Sequence, residues 1–246
     1  MTDLTLVFDL DGTLVDSAPD LIASTNHVLD HLGLPRVDAA TLRPFVGHGA
    51  KHMIEKAIGP ACEKLSEAER AELLKRYLDF YSANIATDSR PFAGVVPALQ
   101  KLRAEGVRLA VCTNKMEGMA QRLLDALDMT HYFTAIAGRD TFPVSKPDPG
   151  ALLGTIALAG GDRSHAIMVG DTNVDIAAAK AASVPVIGVT FGYTETPVQA
   201  FSPDAVIEHF AELEQAIGML VSRRQQTNVA TADADERSRL ARAVAH

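Results

Sequence analysis

Two aspartates two positions apart end a short apolar run near the start of the chain. Asp9 lies near the end of the run 4–10 and Asp11 directly follows it, and Gly12 then lets the backbone turn sharply. Two carboxylates this close repel each other and any phosphate unless a divalent cation neutralises them. With such a cation, one carboxylate can attack phosphorus while the other transfers protons. The pattern therefore predicts metal-dependent phosphoryl chemistry.

A second acidic pair follows another apolar run, at residues 166–169. Asp171 and Asp175 are four residues apart at the start of a predicted helix, so they can share one face of it. Acidic residues in a first helical turn are also favoured simply by the helix dipole. Two acidic pairs at the ends of two buried strands are harder to explain in that way, and they indicate one shared site.

Hydroxyl, amide and ammonium groups lie between the two acidic pairs in the sequence. Thr113 and Asn114 follow an apolar run within the motif 112–115, and Lys146 precedes Pro147 in a loop that leads to a helix. Thr113 offers a hydroxyl to phosphoryl oxygens, and Lys146 offers a compact positive charge. Taken alone, each residue is more typical of an ordinary turn or of a solvated lysine than of a phosphate site. Only the combination favours a phosphate site.

The elements that must position these residues alternate between strand and helix from residue 91 onward. Apolar runs predict strands at 4–10, 107–112, 135–138, 166–169, 184–189 and 205–207. Apolar residues at three-and-four spacing predict helices at 95–105, 118–127, 150–159 and 173–182. This alternation predicts an α/β fold, a doubly wound parallel sheet with a Rossmann-like core, and a ligand site at the carboxyl ends of the strands.

Residues 16–90 interrupt this alternation with successive amphipathic helical patterns, one of them at 67–84. We interpret this segment as a small α-helical cap inserted into a catalytic core made of 1–15 and 91–221. Residues 222–246 are polar, and we expect them to form a flexible tail.

The composition indicates which kinds of molecule this chain is expected to bind. The formal net charge is −8, with no basic stripe, which argues against nucleic-acid binding. Two distant cysteines indicate neither a disulfide framework nor a zinc site, and no apolar run is long enough to span a membrane. We expect a cytoplasmic monomer or homodimer that takes a small anionic phosphomonoester as its substrate and contacts no membrane.

The four motifs together resemble those of the haloacid dehalogenase superfamily over residues 4 to about 220. The resemblance implies that Asp9 is the nucleophile and forms an aspartyl-phosphate. It implies that Asp11 protonates the leaving oxygen and then activates water. Thr113, Asn114 and Lys146 would bind the transferring phosphoryl group.

The same resemblance implies a magnesium cofactor. Its ligands would be the carboxylates of Asp9 and Asp171 and the backbone carbonyl of Asp11. Asp175 would support the loop that carries Asp171 without binding the metal directly. Water and phosphate oxygens would complete the octahedral shell that magnesium prefers.

Several segments narrow the expected substrate to 2-phosphoglycolate, hydrolysed to glycolate and phosphate. They are similar to a bacterial branch of the superfamily that acts on this compound, and they comprise residues 45–50, 138–140, 188–193 and 202–207. His48 departs from that pattern, where asparagine is more usual. Arg43, His48 and Lys51 could bind the substrate carboxylate, although a solvated helix face explains these three residues equally well.

Three alternatives stay open from the sequence. The same core motifs would serve a sugar-phosphate phosphatase or mutase, or a pyrophosphatase. A calcium-binding loop beginning at Asp9 fits several ligand offsets, but Leu14 occupies its required glycine position. A phosphoreceiver module that signals without turnover would also place acids and a lysine at strand ends.

Overall fold

The computed structural model describes residues 3–224 and Gln226. The apolar runs form the predicted parallel sheet, because they are short, bounded by turns and, in the central strands, buried on both faces. The strands in chain order are β1 (Thr5–Phe8), β2 (Val15–Asp16), β3 (Arg90–Pro91), β4 (Arg108–Cys112), β5 (Ala135–Ala137), β6 (Ala166–Gly170), β7 (Val186–Val189) and β8 (Ala205–Ile207).

Six of these strands form one sheet in the order β5-β4-β1-β6-β7-β8, and every neighbouring pair is parallel. The first strand is therefore central, with β4 on one side and β6 on the other. The strand order reverses at β1, which is where open parallel sheets place a crevice at their carboxyl edge. The predicted fold class is confirmed.

Helices cover both faces of the sheet and also form a separate layer. In chain order they are α1 (Ala18–His31), α2 (Ala39–Leu42), α3 (Ala50–Ile58), α4 (Glu67–Ala83), α5 (Val95–Ala104), α6 (Glu117–Ala126), α7 (Pro149–Leu158), α8 (Asn173–Ala181) and α9 (213–224). Side chains of α5, α6 and α9 bury one face of the sheet, and those of α7 and α8 bury the other.

The four helices α1 to α4 lie between β2 and β3 and share an apolar cluster of their own. The two short strands pair antiparallel, with Val15 opposite Pro91 and Asp16 opposite Arg90. The chain thus leaves the sheet and returns to it at nearly the same point. We call the layer formed by α1 to α4 the cap.

Local differences from the predicted elements have simple causes. The strand predicted at 184–189 begins only at Val186, because Val184 N bonds to Ala179 O in the turn that ends α8, with Ser183 left-handed. Residues 222–224 of the predicted tail continue α9, and residues 225 and 227–246 lie outside the described residues. Within the described part of the chain, no helix is long and apolar enough to cross a membrane.

Candidate active site

Three neighbouring strands deliver the first, second and fourth motifs to one edge of the sheet. Phe8 in β1 lies opposite Val111 in β4 and Val169 in β6. Asp9, Thr113 and Asp171 therefore follow strands that end at almost the same level. The calcium-loop alternative is wrong, because the residues before Asp9 form this buried strand and not a helix.

Three buried carboxylates form a cluster at this edge. Oxygen atoms of Asp9, Asp171 and Asp175 all lie within 4.8 Å of one another. Burial, the larger effect, and the nearby charge of Asp175 raise the pKa of Asp9 from 3.8 to about 6, although Lys146 opposes this shift. Burial and the charges of Asp175 and Asp9 raise the pKa of Asp171 well above its ordinary value. A carboxylate set of this kind fits a hard divalent cation.

The ammonium of Lys146 lies between two of these carboxylates. Its Nζ is 2.8 Å from Asp9 Oδ1 and 2.6 Å from Asp175 Oδ1, and its side chain is only 1% exposed. Burial alone would lower the pKa of Lys146, but the charges of Asp175 and Asp9 raise it above its ordinary value. Lys146 is therefore a fixed positive charge that holds Asp9 by one oxygen and leaves Oδ2 for other chemistry.

The two carboxylates after β6 are oriented by hydrogen bonds. Thr13 Oγ1 donates to Asp171 Oδ1 and Tyr193 N donates to Asp171 Oδ2, both at 2.8 Å. Asp175 Oδ2 accepts from the backbone and the hydroxyl of Thr172, which is the capping box that begins α8. Asp175 accepts from Lys146 through one oxygen and from Thr172 through the other, so it ties Lys146 to the loop that begins α8.

Asp11 lies outside the cluster and has partners of its own. Lys115 Nζ donates to both of its carboxylate oxygens, at 3.0 and 2.9 Å, and Ser17 Oγ donates to Oδ1. The same ammonium is 4.7 Å from the ring centroid of Tyr81 in the cap. Burial lowers the pKa of Lys115, but the charge of Asp11 and the neighbouring Tyr81 more than offset this and raise the pKa above its ordinary value.

The motif after β4 contributes two side chains with different surroundings. Thr113 is buried at the cavity wall, and its Oγ1 accepts from Lys115 N, so the hydroxyl proton is free to be donated. Asn114 Nδ2 instead donates to the carbonyl of Lys146 at 2.9 Å. This hydrogen bond ties the Asn114 side chain to the Lys146 loop, and the contact between Asn114 and phosphate stays a prediction.

A cavity of about 450 Å³ lies between this edge of the sheet and the cap. Asp9, Asp11, His48 and Lys51 are among the residues that line it, and the two cap residues are exposed. Arg43 is not among the lining residues that the structure describes. It pairs with Asp16 at 2.9 Å and lies over the ring of Tyr193, which places it at a contact between cap and core, and its contact with substrate stays a prediction.

Four residues of the site were not predicted from the sequence. Thr13 and Tyr193 orient Asp171, and Lys115 and Tyr81 adjoin Asp11. The hydrogen bond from Lys115 to Asp11 joins residues 104 positions apart, and no local sequence pattern predicts a contact at that separation. The one available signal was that Lys115 follows Thr113 and Asn114 directly and therefore leaves the same strand end.

Comparisons with known proteins agree with this geometry. A sequence model for haloacid dehalogenase-like hydrolases matches residues 6–189. A protein named phosphoglycolate phosphatase from Mesorhizobium japonicum is 51% identical over 208 residues, which cover 85% of this chain and 92% of the relative. A protein of the same name from Agrobacterium fabrum is 47% identical over 211 residues, covering 86% and 91%.

A solved structure shows the same relationship in three dimensions. The crystal structure of a predicted phosphoglycolate phosphatase from Haemophilus somnus 129pt superposes with a TM-score of 0.81 at 32% identity. The match covers 87% of this chain and 98% of that one. The resemblance drawn from the motifs is confirmed, and the chain belongs to the haloacid dehalogenase-like hydrolase family.

Proposed function

We propose that this chain is a magnesium-dependent phosphomonoester hydrolase that converts 2-phosphoglycolate and water to glycolate and phosphate. The buried pair of Asp9 and Lys146, beside Asp171 and Asp175, supports this most strongly. A carboxylate held at one oxygen and surrounded by positive charge suits attack on a phosphoryl group. The names of the Mesorhizobium and Agrobacterium relatives support the substrate.

Two displacements at phosphorus would complete the reaction. In the first, Asp9 Oδ2 forms a bond to phosphorus while the ester oxygen leaves, and Asp11 gives that oxygen a proton. In the second, Asp11 takes a proton from water, whose oxygen attacks phosphorus and releases phosphate and free Asp9. Asp11 is suited to both steps because it lies on the same turn as Asp9 and lines the cavity.

The phosphoryl group would be held by Lys146, by the Thr113 hydroxyl and by backbone N–H groups after β4. Phosphoryl transfer depends mainly on positioning and on neutralising the phosphoryl oxygens. Lys146 is already placed for that, because its ammonium contacts the nucleophilic carboxylate directly. Its loss should therefore lower the rate of the chemical step and not only the affinity for substrate.

The acidic cluster fits magnesium by its donor chemistry. Asp9 and Asp171 would supply carboxylate oxygens and Asp11 its backbone carbonyl, with Asp175 in support. Three carboxylates and one ammonium leave a net negative site, and a divalent cation would bring it to neutrality. When bound, magnesium supplies positive charge to the phosphoryl oxygens.

The core would carry out the phosphoryl transfer, and the cap would select the substrate. We assign residues 1–15 and 91–221 to the core and 16–90 to the cap, with the β2–β3 pair as the junction. His48 and Lys51 at the cavity wall are candidates for substrate contacts from the cap. A cavity of about 450 Å³ also has room for a sugar phosphate, which is the second candidate substrate class.

Phosphate release from a substrate panel tests the proposal. The panel contains 2-phosphoglycolate, hexose phosphates and pyrophosphate, each with magnesium or with a chelator, for wild type and Asp9→Asn. We expect the highest kcat/KM for 2-phosphoglycolate and loss of turnover with the chelator and with the variant. A higher kcat/KM for another compound would reject the substrate, and full activity of Asp9→Asn would reject the mechanism.

A further inference from the structure

We infer that Lys115 is a specificity-determining residue that binds the carboxylate of the substrate, on the side of the site where the leaving group departs. The inference rests on the proposed function and deepens it, since it names the side chain that distinguishes an acid phosphate from a neutral one.

The ammonium of Lys115 lies in the cavity wall between core and cap. Its side chain is 8% exposed, against 16% for Asp11, whose two oxygens it contacts. The Tyr81 ring of α4 lies on another side, at 4.7 Å. A cation over an aromatic face keeps part of its stabilisation when a carboxylate partner changes. The ammonium can therefore exchange Asp11 for another carboxylate without leaving the wall.

The chemistry of the substrate places its carboxylate next to this ammonium. In 2-phosphoglycolate the carboxylate carbon is two bonds from the ester oxygen. That ester oxygen must lie beside the Asp11 carboxyl group, which protonates it. A cation that already touches both Asp11 oxygens is within reach of a carboxylate so close to the leaving oxygen. The flexible stem of lysine permits the small movement that is needed.

Other cations that line the cavity are less suited to this role. Lys146 is committed to Asp9 and Asp175. His48, Lys51 and Arg139 are exposed, so water weakens any ion pair that they form. Among the described cavity residues, Lys115 is thus a cation with a side chain only 8% exposed that is bound neither to the nucleophile nor to the acidic cluster.

The test compares 2-phosphoglycolate with its primary carboxamide, which has the same shape and lacks the carboxylate charge. The quantity measured is the ratio of the two kcat/KM values, with magnesium present, for wild type, Lys115→Met, Lys115→Arg and Lys51→Met. Lys75→Met is the matched control, because Lys75 is an exposed lysine on the outer face of α4 that pairs with Asp79. Each ratio is internal to one protein preparation, so partial loss of folded enzyme does not alter it.

We expect wild type to prefer the acid, and Lys115→Met to lower the ratio about 10- to 100-fold, the range for one hydrogen bond to a charged group. Lys115→Arg should retain part of the preference, and Lys75→Met should leave it unchanged. An equal loss on both substrates would mean that Lys115 only positions Asp11, and would overturn the inference. A fall in Lys51→Met instead would assign the carboxylate to the cap.

Failure of the proposed substrate would be visible separately. Wild type that hydrolyses both compounds without preference would contradict the role of Lys115 while leaving a phosphatase intact. Wild type that hydrolyses neither compound would reject the proposed substrate and, with it, the carboxylate contact.

Discussion

At the residue scale, the site is defined by buried charges that constrain one another. Lys146 contacts Asp9 and Asp175, whose side chains are 11% and 0% exposed. Burying charged groups is costly unless each one is paired and hydrogen-bonded. One ammonium shared by two carboxylates, with Asp171 nearby, leaves negative charge in excess. The same arrangement that costs stability prepares the site for a cation and a phosphoryl group.

Removing the shared ammonium should destabilise the chain strongly. Lys146→Met leaves Asp9 and Asp175 without their buried partner, and breaking such a pair typically costs about 3–5 kcal/mol. The measurement is urea unfolding followed by circular dichroism. Lys75→Met is the control, since its partner Asp79 is exposed, and it should not change the midpoint measurably. Equal midpoints for the two variants would contradict the account.

The raised pKa of Asp9 predicts a pH dependence of stability in the absence of metal. The pKa of Asp9 is about 6 in the folded chain and 3.8 ordinarily, so the folded chain binds this proton more tightly than the unfolded chain does. The resulting stabilisation is complete below pH 4 and is lost as the pH rises through 6. The free energy of unfolding of Asp9→Asn minus that of wild type should therefore increase from pH 4 to 6.5, by at most about 1.4 kcal/mol per pH unit. Urea unfolding in chelator across this range measures it, and a constant difference would contradict the shift.

Residues at strand ends could be predicted from the sequence, and their partners could not. Asp9, Thr113 and Asp171 each follow an apolar run, and parallel strands bring such positions together. Lys115 and Arg43 depend on where α4 and the turn 43–48 rest against the core. That docking is set by many apolar contacts of α1 to α4, which no short motif encodes.

At the scale of the elements, the turn after β1 must bring two motifs into contact. Gly12 has a φ of +89°, and a Cβ there would lie 2.5 Å from Asp171 Oδ2. Glycine alone combines this backbone conformation with so close an approach. The Asp9–Gly12 turn and the loop after β6 can therefore pack directly, which brings Asp9 close to Asp171.

A methyl group at Gly12 should separate the two motifs. Gly12→Ala is expected to abolish most turnover, because Asp171 must move away from the cluster. Gly33→Ala is the matched control, since Gly33 also has a positive φ, of +67°, but nothing lies within 4 Å of its added Cβ. The control should lose about 1 kcal/mol of stability and keep its activity. Turnover is measured by steady-state kinetics and stability by thermal unfolding, for both variants. Normal turnover in Gly12→Ala would contradict the expected effect of close packing between Gly12 and Asp171.

At the scale of the whole molecule, the cap is joined to the core by two chain segments that meet at β2 and β3. Asp20 at the start of α1 ties the returning segment to the departing one. Its buried carboxylate accepts from Asp88 N at 3.0 Å, Ser89 N at 2.9 Å and Ser89 Oγ at 2.6 Å. Arg43, through Asp16 and Tyr193, adds a second contact between cap and core.

Loss of the Asp20 carboxylate should weaken this junction. Asp20→Ala leaves buried donors unpaired, each costing about 1–3 kcal/mol. We expect a lower unfolding midpoint and faster cleavage between β2 and β3 under limited proteolysis. Asp30→Ala, which removes an exposed partner of Arg36, serves as the control and should behave as wild type does. An unchanged proteolysis rate in Asp20→Ala would mean that the cap is held without this network.

The central claim is that Asp9 forms a covalent bond to phosphorus, and trapping that bond tests it most directly. The enzyme is mixed with magnesium and substrate, quenched in acid and reduced with borohydride, which converts an aspartyl-phosphate to homoserine. Peptide mass spectrometry then locates the change. We predict homoserine at position 9, in higher yield in Asp11→Asn with p-nitrophenyl phosphate, a leaving group that needs little proton transfer. Turnover without modification of Asp9, or modification at another residue, would contradict the account.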